Sequence, residues 1–199
     1  MKMILKNILL ICVMFLFTQN LSANDQLELK QHFLKKIDEV VVVVQDTTLT
    51  KCKRNDEIIK ILDKTFDFEL MAKLSLGKTW KSLSKNDKKK FVELYVERMK
   101  QSYSSKVDSY NGEKVEVIKI EQPKKNRIAL VTDLAGETQH LEIVYKFYKP
   151  KKKTADKDTW LIYDAEISGV SILKTDKAQF KEYLKTKSIY ELMDVLSKS

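Results

Sequence analysis

The chain has 199 residues, a formal net charge of +9, two cysteines, two histidines and four glycines. That length fits one domain with a single sizeable core. The cysteine and histidine counts leave little for a disulfide framework or a metal site, and no nucleophile-elbow, phosphate-loop or dinucleotide fingerprint occurs.

The chain begins with Lys2 and Lys6, an apolar run at 8–17, a polar break Thr18-Gln19-Asn20 and then Leu21-Ser22-Ala23. This is the three-part layout of a secretory signal peptide at 1–23, cut after Ala23. The run is shorter than the ~20 apolar residues that span a bilayer. Ile11 before Cys12 does not suit lipidation, which needs a small residue there. The expected mature chain, 24–199, loses Lys2 and Lys6 and so carries +7, with Cys52 as its lone cysteine. His32 and His140 lie far apart, which argues against a histidine metal site. A basic chain favours nucleic acid, anionic surfaces or acidic partners. Export, and lysines scattered without stacking aromatics, argue against nucleic acid.

From 26 to 44, Phe33, Ile37, Val40, Val41 and Val44 recur at helical spacing, although the valine run at 40–44 predicts an early end to that helix. Ile58, Ile59, Ile61 and Leu62 predict a second helix. Asp67 is a cap for a third, which carries Leu70, Met71 and Leu74 and stops at Gly77. Ser84 with Asp87 resembles a helix-start box for a long helix bearing Phe91, Leu94, Tyr95, Met99 and Tyr103.

After the Asn111-Gly112 turn the period changes to two. Val115 and Val117 open an alternating stretch that Pro123 ends. Ile128, Leu130, Thr132 and Leu134 alternate next, then Leu141, Ile143, Tyr145 and Phe147, then Leu161, Tyr163, Ala165 and Ile167. The basic stretch around Lys149 reads as an exposed loop between two strands. Asp176 with Gln179 is expected to start a helix, and Ser188 with Glu191 to cap the last one. The expected fold is a single α+β domain: a curved antiparallel sheet of about four strands covered by several helices, of the cystatin/NTF2-like kind.

Asp164 and Glu166, two apart on a strand, share a face and are a conceivable acid–base pair. Projection to solvent is the preferred reading. Asp164 with Tyr163 remains open as an enzyme reading, and an adaptor for an envelope complex is another.

Several ordered stretches resemble the MlaC, or toluene-tolerance auxiliary, family. Phe66-Asp67-Phe68 through Met71-Ala72, then Leu76-Gly77 and Trp80, are similar to its "FD…MA…LG..W" signature. The helix from Ser84 leads to Tyr110-Asn111-Gly112. Trp160-Leu161-Ile162-Tyr163-Asp164, followed by Gly169-Val170-Ser171, resembles its "W.iYD…eGvS" block, with Ser168 where an acidic residue is common. Gln179-Phe180 and the terminal helices complete the order. The resemblance implies a monomeric periplasmic protein, not an enzyme. It would carry a glycerophospholipid between an outer-membrane lipoprotein–porin complex and an inner-membrane ABC transporter with MCE-domain subunits, maintaining outer-membrane lipid asymmetry. No cofactor is implied; the phospholipid is cargo.

The physical requirement for such a carrier is an apolar pocket. Some thirty tail methylenes at ~0.8 kcal/mol each expose ~24 kcal/mol to water. The candidate lipid-contacting residues are Leu130, Ile143, Tyr145, Phe147, Tyr163, Ile167 and Val170 on the sheet side. On the helices they are Leu70, Met71, Leu74, Leu94, Tyr95 and Met99.

Overall fold

A computed structural model describes the backbone of residues 2–108, 110–136 and 140–198, and side chains within 24–102, 110–136 and 140–198. The order is α1 (Lys2–Gln45), α2 (Lys51–Thr65), α3 (Phe68–Leu76), a 3-10 turn at Thr79–Ser82, α4 (Lys85–Asp108), β1 (Lys114–Lys124), β2 (Arg127–Ala135), β3 (His140–Tyr148), β4 (Leu161–Ile167), β5 (Val170–Ser171), α5 (Ile172–Tyr183) and α6 (Ile189–Ser197). The strands form one antiparallel meander in the order β1-β2-β3-β4-β5.

The helix starts are set by side-chain caps. Thr50, Asp67, Ser171 and Ser188 each accept a backbone N–H from the first turn of their helix. Ser188 and Glu191 close a reciprocal capping box, which satisfies donors that a helix cannot satisfy itself. Ser84 likewise accepts from Asp87 N at 3.1 Å. The start of α5 differs from the sequence expectation. Ser171 caps it, and Asp176 lies inside the helix, 1% exposed. The valine run does not end α1, which continues to Gln45: the covered face of the helix outweighs the weak local preference of valine for strands.

Two registers depart from simple alternation. In β3–β4, Lys146 faces Asp164 and Phe147 faces Ile162, so Tyr163 is the extra residue of a bulge. Ile162 therefore takes the inward position that alternation assigns to Tyr163. In β1–β2, the shift between Val117 and Lys119 leaves Ile118 unpaired and 62% exposed. Strand β1 also runs past Pro123 to Lys124, through a second register shift. A proline survives there because β1 is an edge strand with no ladder bond to lose on its outer side.

Two apolar cores result. In one, α1 lays Leu29 and Phe33 on Ile128, Leu130, Phe147 and Ile162 of the sheet. The Phe33 ring sits 4.8 Å from that of Tyr145 and edge-on to Phe147 at 6.1 Å. The other is helical. There Phe68, Met71 and Leu76 of α3 meet Phe91 and Tyr95 of α4, Phe180 of α5 and Leu192 and Leu196 of α6. The half-buried Phe66 packs against both, where its backbone bridges to Ile162 beside β4.

Candidate functional site: an apolar cavity at the seam of two cores

Between the two cores lies a cavity of about 440 Å³, within the range of small-molecule clefts, roughly 300–1,000 Å³. Its floor is sheet: Ile143 and Tyr145 of β3, Ala165 and Ile167 of β4 and Val170 of β5. Ile59 and Leu62 of α2, with Phe66 and Phe68, close one side. Arg98, Met99 and Ser102 of α4 and Ile172, Thr175 and Asp176 of α5 close the other. Apolar side chains make most of this wall, and the polar ones gather where α4 meets α5.

Val170 reaches the wall because the chain reverses through Ser168 and Gly169 at φ +46° and +79°, while Ile167 pairs with Val170. Positive φ at both central residues marks the hairpin turn that matches strand twist. Gly169 adopts it freely; Ser168 adopts it at some steric cost.

The polar strip is internally neutralised. Asp176 accepts from the Tyr95 hydroxyl at 2.7 Å and from Nη2 of Arg98 at 2.7 Å. The Arg98 guanidinium also lies 5.6 Å over the Phe180 ring. Burial, with the Asp176 carboxylate beside it, pushes the Tyr95 phenol up. Burial alone pushes the Tyr145 phenol up to about 12.

Asp164 is buried, contrary to the expectation that it projects to solvent. It accepts from the Ser171 hydroxyl, from the backbone N–H of Leu173 and from Lys146. It is tied down because it serves the first turn of α5, a helix N-terminus that favours a carboxylate. Glu166 is half-buried and takes the same lysine at 2.6 Å. Burial works against the Lys146 charge, yet the bonds from Glu166 and Asp164 prevail and raise its pKa.

Of the residues singled out from sequence, Met99, Ile143, Tyr145, Ile167 and Val170 line the cavity. Leu130 and Phe147 belong to the core under α1. Met71 and Tyr95 are fully buried in the helical core, and Leu94 packs against it. Leu70 is half-buried and Leu74 is 36% exposed. Those helical positions lie away from the cavity because α3 and the first half of α4 turn their apolar faces to α5 and α6; only the second half of α4 reaches the seam. The bulge sets Tyr163 against Tyr148, ring centroids 6.0 Å apart, with Arg127 5.1 Å from each. Tyr103 lies outside the described side chains. The sequence did not mark Arg98, Ala165 or Asp176 as cavity residues, although Ala165 is placed in the fourth strand and Asp176 at a helix start. Nothing in helical spacing distinguishes a charged residue on a cavity wall from one in solvent.

A family model for the MlaC protein matches residues 34–198. The chain belongs to the MlaC family. Among solved structures, a phospholipid-binding protein from Ralstonia solanacearum, in complex with a phospholipid, superposes with a TM-score of 0.71. It shares 14% sequence identity, and the match covers 87% of this chain and 94% of that one. At that identity the structural match establishes the shared fold alone. A comparison with curated proteins finds no significant match. Among the described residues, this MlaC-family chain has no cluster of ligands that could hold a metal ion and no helix long and apolar enough to cross a membrane.

Proposed function

We propose that this MlaC-family chain is a phospholipid carrier that takes acyl chain into the seam cavity and leaves the headgroup toward water. The carrying observation is the cavity itself, about 440 Å³ and walled mostly by apolar side chains, in a fold shared with a protein solved with phospholipid bound. An ordinary core packs to the density of an organic crystal and keeps few voids larger than a water. A space this large between two otherwise well-filled cores is therefore a binding site rather than a packing error. Each methylene that enters it leaves water, at about 0.8 kcal/mol.

The wider role follows the family. Residues 1–23 direct export and are removed. The mature chain works in the periplasm as a monomer. It exchanges cargo with an inner-membrane MCE-domain ABC transporter and with an outer-membrane lipoprotein–porin complex, in support of outer-membrane lipid asymmetry. The enzyme alternative draws little from the geometry. Asp164 is engaged by Ser171, Leu173 and Lys146, and neither it nor Tyr163 lines the cavity. The adaptor alternative requires a filled interior.

Native mass spectrometry of the protein purified from periplasm tests the reading. The expected spectrum shows a co-purifying phospholipid in one-to-one ratio. A chain that arrives empty, and stays empty after incubation with phospholipid vesicles, would refute it.

A further inference from the structure

The cavity wall carries a hydroxyl with no role in holding the protein together. Tyr145 is on its floor, with its ring against Phe33. Among the described residues its hydroxyl meets no hydrogen-bonding partner, and burial alone accounts for its raised pKa. The ring is half-buried, and the residue lines the cavity. A phenylalanine there would fill the same space, so the hydroxyl adds a polar group to a mostly apolar floor without bonding to the protein itself. By contrast, the hydroxyl of the fully buried Tyr95 donates to Asp176.

We propose that the Tyr145 hydroxyl donates a hydrogen bond to an ester carbonyl of the bound lipid, so that the cavity recognises the ester linkage between glycerol and acyl chain. This rests on the carrier reading above. The acceptor is a neutral carbonyl rather than a phosphate. An anion on the floor beside Ile143, Ala165 and Ile167 would lose its hydration against apolar side chains. The guanidinium on the wall, Arg98, has its charge matched by Asp176 at 2.7 Å through Nη2, and only its Nη1 is left without a hydrogen-bonding partner. A carbonyl brings no net charge, and it satisfies the phenol, which stays protonated throughout the physiological range.

The test compares wild type and Tyr145→Phe, each delipidated and offered vesicles of a diacyl phosphatidylglycerol or of its dialkyl ether analogue with equal chain length. Bound lipid is counted by native mass spectrometry, and thermal unfolding is followed in parallel. Wild type is expected to retain the ester lipid about fivefold better than the ether, the worth of one net hydrogen bond. Tyr145→Phe is expected to bind both alike, at the ether level, with its unfolding midpoint unchanged or raised. Equal retention of ester and ether by wild type would overturn the assignment while leaving lipid carriage standing. So would an ester preference that survives in the variant, or a midpoint that falls by several degrees, since a fall means the hydroxyl serves the protein. Failure of wild type to take up either lipid would overturn both readings.

Discussion

Oδ1 of Asp176 lies 2.7 Å from Nη2 of Arg98, although 78 residues separate them in the chain. The pair ties α5 to α4 beside the cavity. Asp176 is nearly inaccessible, whereas Arg98 keeps 24% of its side chain exposed. Removing only the arginine strands a buried carboxylate. Arg98→Met is expected to cost about 3 kcal/mol in urea unfolding, and Asp176→Leu a comparable amount. The double variant should recover much of the loss, because no buried charge is then left alone.

The aromatic contact between α1 and the sheet holds the helix on the core that adjoins the cavity. Phe33 is 3% exposed and touches both Tyr145 and Phe147. Phe33→Ala is expected to lower stability by about 3–5 kcal/mol, from lost burial plus the void it leaves. The change should appear as a reduced denaturation midpoint with an unchanged denaturant slope.

Ala165 is the smallest side chain on the cavity floor. Ala165→Phe places a ring in the space proposed for the acyl chain. Stability is expected to fall by no more than about 1–3 kcal/mol, the usual cost of overpacking. Lipid occupancy by native mass spectrometry is expected to fall more than tenfold. A folded variant with normal occupancy would place the cargo elsewhere.

His140 opens β3 with Nδ1 2.5 Å from Oδ2 of Asp133. The bond to Asp133, and the charge of that carboxylate, raise the imidazole above its ordinary 6.5. A raised folded value means the pairing stabilises fully below about pH 6.5 and is lost as pH climbs through the folded value. Proton NMR titration should show His140 titrating above 6.5. In Asp133→Asn the value should return toward 6.5 and the local pH dependence should vanish.

Local chemistry made much of the fold legible. The caps at Asp67 and Ser188, the Gly77 stop and the period-two strands are statements about nearest neighbours, and the structure keeps them. Failures came where distant partners decide. Ser171 rather than Asp176 starts α5 because Asp164 and Ser171 together hold its first turn. Tyr163 leaves the inner face because the β3–β4 register slips by one residue, which no alternation count reveals. The cavity was legible only in part. Strand parity places Ile143, Tyr145 and Ile167 on one face. Which helix face meets them depends on how α3 and α4 pack with α5 and α6, and the apolar spacing within each helix does not contain that information.

The edges of the sheet carry a further meaning. On one flank β1 combines Pro123, the unpaired Ile118 and three lysines, Lys114, Lys119 and Lys124. On the other, β5 is only two residues long. Neither border offers a clean row of amides to a newcomer. Crowded copies of this chain are thereby kept from zipping into ribbons edge to edge.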